Sequence, residues 1–254
     1  MLEPLRWTVA LESLTEEVFR RLGDVQRRME AAALRTGRNP EAIALVVVTK
    51  GHSPQVVRSA YAAGIRRFGE NRIEELTPKA GSLLDLAGVE WHLVGHLQSR
   101  KVRELPPSVA MVHSVDRPKI ALRLAEYGDQ RGKPLDVLLE CNVSGEVSKQ
   151  GWRLEDPSAW ERALPEWERL SRLTGLRVLG LMTMAPQTPD AGRVRSVFRS
   201  LFELREFVTR RLGLSWPQLS MGMSDDFEIA VEEGATLLRV GRAILGERPA
   251  RAGG

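Results

Sequence analysis

The sequence predicts an α/β fold, a single (β/α)8 TIM barrel preceded by an extra N-terminal helix. Three observations lead there. Apolar, β-branched runs alternate with segments of helical periodicity eight times, the connections are mostly short, and no low-complexity linker divides the 254 residues. The alternative is an open doubly wound sheet, but no glycine-rich dinucleotide turn follows the first strand. We therefore expect one domain over residues 1–254, with a helical region at 1–43 and the barrel at 44–248.

Residues 8–36 place Leu11, Leu14, Val18, Leu22, Val25 and Met29 close to one helical face, and Gly37 stops that helix. The first strand, 44–50, ends on Lys50; alternation puts Val46, Val48 and Lys50 on one face and Leu45, Val47 and Thr49 on the other. Ser53 and Pro54 suit the N-cap and first position of a helix that ends at Gly64. The second strand, 65–71, closes with Phe68-Gly69-Glu70-Asn71 and leads into a helix to residue 80. Strands follow at 91–96, 110–116 and 135–143, with a short helix from Gln98 and a longer one ending near Gly128 between them. Residues 144–151 lack apolar periodicity and read as a long loop, and the helical region holding Trp160 and Trp167 is expected to break at Pro165. The sixth strand is 175–184. Helix 193–212 carries the stripe Val194, Val197, Phe198, Leu201, Leu204, Phe207 and Val208. The seventh strand is 218–223, Ser224 is expected to cap a helix over 225–233, and 236–244 is the eighth strand.

Composition narrows the function. A formal charge of +4 with 43% hydrophobic residues describes an ordinary globular chain, and the basic residues between Arg20 and Arg38 alternate with apolar ones as on a solvated helix face, so nucleic-acid binding is not expected. Cys141 is the only cysteine, which excludes an internal disulfide and a multi-cysteine metal site; it reads as a small buried residue. Glu3, Glu12, Glu16 and Glu17 mark an N-terminus unlike a signal peptide, and no run reaches membrane-spanning length. The expectation is a cytoplasmic monomer. His92 and His96, four apart on a strand, lie about 13 Å apart at ~3.3 Å per residue, too far to share a metal. The tryptophans Trp91, Trp152, Trp160, Trp167 and Trp216 read as packing.

In a barrel the chemistry sits at strand C-termini, which gathers Lys50, Asn71, His96, Asp116, Asn142, Met184, Met223 and segment 239–242 at one rim. Of 37 Lys and Arg residues only six are lysines, so a lysine on an otherwise apolar strand face is a poor choice for generic charge. Desolvation leaves an amine neutral and able to condense with a carbonyl as a Schiff base, which arginine cannot do. The bland alternative is a lysine that snorkels to water. Residues 220–226 form a small-residue loop running into a helix N-terminus, the usual phosphate site of barrels, with Asp225 and Asp226 expected to turn outward. Arg239 shares a strand face with Leu237 and Gly241; if it points inward it needs a partner, and Gly241 permits close approach of a ligand. These parts fit pyridoxal 5′-phosphate, with its aldehyde at Lys50, phosphate at Ser224 and Gly241, and ring nitrogen at Arg239. They equally fit a phosphosugar aldolase with a Schiff-base lysine. Lys149 reads as a solvated loop lysine, the alternative being a rim contact.

Eight motifs occur in one order. They are Lys50 after its apolar strand, Phe68-Gly69-Glu70-Asn71, the run from Trp91 to Ser99, His113-Ser114-Val115-Asp116, Ser148-Lys149-Gln150-Gly151, Gly180-Leu181-Met182-Thr183-Met184, the run from Leu219 to Phe227, and Arg239 to Gly246. Together, over about residues 46–248, they resemble the pyridoxal phosphate homeostasis protein family. The resemblance implies a barrel like the N-terminal domain of alanine racemase that binds pyridoxal phosphate covalently and maintains its cellular supply without established catalysis. It implies that Lys50 is the Schiff-base lysine, Asn71 and Met223 lie at the cofactor, Ser224 and the backbone at Gly241 and Arg242 hold the phosphate, and Arg239 meets the ring nitrogen. Apo-enzymes that receive the cofactor are the implied partners. One residue departs from the pattern: Arg242 stands where the family usually has a small hydroxyl residue. Efficient racemase or transaminase activity is not expected. Racemase relatives take an opposing tyrosine from a second, C-terminal domain, whereas this sequence ends at Gly254 and its two tyrosines, Tyr61 and Tyr127, are expected away from the mouth.

Overall fold

The β-branched run 44–48 pairs in parallel with a strand on either side, and the pairing continues until the sheet meets itself. The structure, a computed structural model, describes residues 3–248, with side chains from Ser13 onward. Its elements are α1 (Glu3–Arg35), β1 (Ala44–Val48), α2 (Pro54–Ala62), β2 (Arg67–Glu70), α3 (Ile73–Gly81), β3 (Glu90–Leu93), β4 (Val109–Val115), α4 (Pro118–Gln130), β5 (Leu135–Asn142), β6 (Trp152–Arg153), α5 (Trp160–Ser171), β7 (Leu176–Met182), α6 (Ala191–Leu212), β8 (Gln218–Ser220), α7 (Phe227–Glu232), β9 (Leu237–Val240) and α8 (Arg242–Leu245). The strand order is β4-β3-β2-β1-β9-β8-β7-β5, and a β4–β5 pairing closes the ring. Closure decides for the eight-stranded barrel over the open sheet.

Each strand divides its side chains between two environments, as a barrel buried on both faces requires. Val47, Phe68, Leu93, Val112, Leu139, Leu181 and Leu238 point out beneath the helices and join one large core. Val46, Met111, Leu138, Met182 and Leu237 point in and form a small apolar plug on the barrel axis. Burial of either set stabilises the fold by roughly 1.5–3 kcal/mol per large aliphatic side chain. Helix α1 lies over α2, α7 and α8, burying Val18, Leu22, Val25, Ala32 and Ala33. Arg28 pairs with Glu228, Arg35 with Glu232, and Arg38 donates to the backbone oxygens of Val231 and Ala235. The basic stretch is therefore partly a docking device. The side chains of Leu11, Glu3 and Glu12 lie outside the described ones.

Several local expectations are corrected. The strands end one to four residues early at the C-terminal rim, so Lys50, Asn71 and His96 sit in the turns that follow them. Pro165 does not break α5; it is exposed, so the carbonyl left without its amide partner sits on the hydrated side while Trp160, Ala163, Leu164, Trp167 and Leu170 are buried. Strand β6, two residues paired with Cys141 and Asn142, is too short to show periodicity. The eighth barrel strand stops at Val240, and 242–245 is a helix. Ser224 is not an N-cap, because α7 begins two residues later than expected, with Asp226 at the cap position. The stripe of α6 is buried as expected, with Phe207 only partly covered, and the αL conformation of Gly213 (φ 64°) ends the helix. Among the described residues no helix is long and apolar enough to cross a membrane.

Candidate functional site

All seven residues singled out as cofactor contacts, Lys50, Asn71, Met223, Ser224, Arg239, Gly241 and Arg242, line one cavity of about 220 Å3 at the C-terminal mouth of the barrel. Val48 and Lys50 reach it from the β1 face that holds Val46 at the plug, so the alternation along the run carries the amine inward. Lys50 is half-buried, and its ammonium is held below the usual lysine range by burial first and then by repulsion from Arg248 and Arg239.

Glu70 and Glu75 brace the residues on either side of Lys50. Thr49 Oγ1 donates to Glu70 Oε1 (2.6 Å), Lys79 Nζ donates to the Thr49 carbonyl (2.9 Å) and pairs with Glu70 Oε1, and Gly51 N donates to Glu75 Oε2 (2.8 Å). Gly51 takes φ 76°, a conformation that lets the chain turn directly after the lysine.

Arg239 lies inside the barrel, 5% exposed. Its partners are neutral: Nη1 donates to Ser220 Oγ (2.6 Å) and Nη2 to the Thr183 carbonyl (2.9 Å). Burial lowers it to about 10, which still leaves a cation at neutral pH. On the inward face of β5 beyond Leu138, Glu140 is raised to about 7 by burial and by Asp116.

The loop from Ser220 to Asp226 and the start of α8 form the opposite wall. Ser224 Oγ accepts from Ala243 N (3.2 Å), which ties the loop to α8 and keeps the hydroxyl proton available to an anion. Gly222 has φ 91°, and a Cβ there would come 2.5 Å from that of Ala230. Gly241 permits close approach, but to the strand beside it: a Cβ would lie 2.9 Å from the Val48 carbonyl oxygen. The two acids part company. Asp225 turns outward as expected and pairs with Arg242, which also faces Glu247 at 3.6 Å, whereas Asp226 is partly buried, accepts from Met223 N (2.6 Å) and is raised by burial. Asp226 turns in because it shapes the loop backbone.

Other rim residues stand apart from the cavity. His96 Nδ1 lies 3.1 Å from buried Asp116, and Asn142 Nδ2 donates to the Glu146 carbonyl (2.8 Å). Lys149 is not a solvated loop lysine; it pairs with Glu146 (2.5 Å) and donates to the carbonyl of Met184 (2.7 Å), a cavity residue. The hydroxyls of Tyr61 and Tyr127 donate to the carbonyls of Ala87 and Leu105. Among the described residues no group of His, Cys, Asp or Glu is arranged to hold a metal. Sequence reasoning missed His52 and Arg248 as cavity residues. His52 was hidden among turn residues, and Arg248 returns to the mouth only through the turn after α8.

The donor set has the chemistry that an aldehyde-bearing aromatic phosphate requires: one depressed amine, one hydroxyl beside the first N–H groups of a short helix, and one buried cation without a carboxylate in contact. The profile of the alanine racemase N-terminal domain family matches residues 21–249. The pyridoxal phosphate homeostasis protein of Aquifex aeolicus is 40% identical over 229 residues, covering 90% of this chain and 97% of that protein, and its Pseudomonas aeruginosa counterpart is 41% identical over 227 residues, 89% and 94%. PipY of Synechococcus elongatus, solved with PLP bound, superposes with a TM-score of 0.76 at 32% identity, covering 90% of this chain and all of that one. The chain therefore belongs to the family of the alanine racemase N-terminal domain and, within it, with the pyridoxal phosphate homeostasis proteins.

Proposed function

We propose that this protein binds pyridoxal 5′-phosphate as a Schiff base on Lys50 and maintains the intracellular supply of vitamin B6 without efficient amino-acid catalysis. The observation that carries the reading is the half-buried Lys50, depressed by burial and by two guanidinium groups, on the same cavity as Ser224 and Arg239. Depression raises the fraction of neutral amine at pH 7, the form that adds to an aldehyde. Ser224, with its hydroxyl proton, and the N–H groups of Gly241 and Arg242 would hold the phosphate, Arg239 would meet the ring nitrogen, and Asn71 and Met223 would border the cofactor. When bound, the cofactor supplies an electron sink, but a guanidinium that keeps its own proton leaves the ring nitrogen unprotonated and the sink weak. Family membership supports this reading over the aldolase. The same reading takes the chain to work in the cytoplasm as a monomer, with residues 44–248 as the binding domain and apo-enzymes as recipients.

Purified protein given pyridoxal phosphate should develop a visible absorption band that Lys50→Ala abolishes; wild-type protein that stays colourless would overturn the proposal. Absence of efficient catalysis is tested by incubating alanine, serine and glutamate with loaded protein in deuterium oxide. Inversion faster than about 1 per second contradicts a carrier role, and slow or undetectable exchange is the expected result.

A further inference from the structure

A single file of hydrogen bonds crosses the barrel interior beneath the cavity. Arg239 Nη1 lies 2.6 Å from Ser220 Oγ, Ser220 Oγ 2.8 Å from His113 Nδ1, and His113 Nε2 2.8 Å from His92 Nδ1. All four side chains are buried. The direction of each bond follows from the ends of the file. A guanidinium only donates, so Ser220 Oγ is an acceptor there, and among the described residues the hydroxyl proton has one remaining polar neighbour, His113 Nδ1. His113 must then carry its proton on Nε2 and donate to His92 Nδ1. His92 in turn carries its proton on Nε2, which has no hydrogen-bond partner and faces Glu90 Oε2 at 3.8 Å. With both tautomers reversed, the Ser220 proton would lack an acceptor and a histidine lone pair would face a carboxylate. That order is disfavoured at both ends.

We infer that Ser220, His113 and His92 are positioning residues, a one-way strut that holds Arg239 Nη1 and so fixes how the guanidinium presents its remaining donors to the cavity. Two of its five N–H groups are taken by Ser220 and Thr183, and three remain. What those donors meet, the pyridine nitrogen, rests on the proposed function; the direction of the strut does not. Burial, His92 and Arg239 hold His113 well below the usual histidine range, in keeping with a neutral ring.

Imidazole 15N spectra of the cofactor-free full chain test the strut first. In their neutral forms both His92 and His113 are expected as Nε2–H tautomers, and Ser220→Ala is expected to release His113 from its fixed form. An Nδ1–H tautomer at His113 or at His92 overturns the inference. In the full chain loaded with pyridoxal phosphate labelled at its ring nitrogen, Ser220→Ala should shift the nitrogen resonance and weaken binding about threefold to tenfold. Ser220→Thr, which keeps the hydroxyl, should restore the resonance. A resonance unmoved in Ser220→Ala leaves packing as the only role and overturns positioning. Failure of the wild-type chain to take up the cofactor would instead sink the proposed function, while the tautomer result is read independently.

Discussion

Two buried cations sit on opposite sides of the barrel wall, and their surroundings differ in one respect. Outside the wall, Lys79 of α3 meets Glu70 and the Thr49 carbonyl, so its charge is cancelled within the protein. Inside, Arg239 meets only a hydroxyl and a carbonyl, with Glu140 and Asp226 close enough to be felt but not in contact. The first arrangement is closed and serves the fold. The second leaves a desolvated cation at the foot of an open cavity, a state costly to keep unless a ligand completes it. Charge cancelled by the protein marks architecture, and charge left over marks the site.

The comparison breaks most visibly at Glu70. Glu70→Ala leaves Lys79 buried and unpaired and should cost about 3–5 kcal/mol of stability, measured by chemical denaturation, whereas the double change Glu70→Leu with Lys79→Met should recover most of it. A single change near zero would show that the pair is not structural. Glu140 sharpens the same contrast through pH. Its carboxyl is raised from 4.5 to about 7 by burial, so the folded state holds a proton that the unfolded chain releases between those values. Stability contributed by the protonated form is present below about pH 4.5 and is lost as pH rises to about 7, by about 3 kcal/mol in all. Glu140→Gln should flatten that part of the stability–pH curve; an unchanged slope contradicts the assignment. Arg239→Met should do the reverse of Glu70→Ala, changing stability by no more than about 2 kcal/mol while cofactor affinity falls. A collapse of the fold would make Arg239 architectural too.

What the sequence made legible, and what it did not, follows the same division. Alternation along β1 put Lys50 on the face of Val46 and Val48, but along β9 it left open whether Arg239 points inward, because a barrel strand has two faces and both are buried. The motifs that carry the family resemblance then named seven residues that line one cavity. The Glu70–Lys79 pair and the return of Arg248 to the mouth join residues from separate elements, and no local periodicity encodes such contacts. Ser224 looked like a cap because serine before two acids is the usual signal, yet its hydroxyl is committed to Ala243 and the helix begins later. Pro165 looked like a break because propensity ignores which side of a helix faces water.

The smallest expected effect concerns the departure at Arg242. Its guanidinium is half-exposed and held by Asp225 and Glu247, so under the proposed function the backbone N–H there, and not the side chain, is expected to meet the phosphate. Arg242→Thr should alter cofactor affinity by less than about 1 kcal/mol, read by fluorescence titration. A loss of about tenfold or more would assign the guanidinium to the phosphate, and a gain of about tenfold or more would show that a hydroxyl is the better ligand.

The central claim is that the leftover charge and the depressed amine serve one covalent ligand at Lys50. Borohydride reduction of the protein loaded with pyridoxal phosphate, followed by peptide mass analysis, tests it most directly. The account predicts a single phosphopyridoxyl group on the peptide containing Lys50, absent from Lys50→Ala. Labelling of Lys79 or Lys149 in its place, or no label at all, would contradict it.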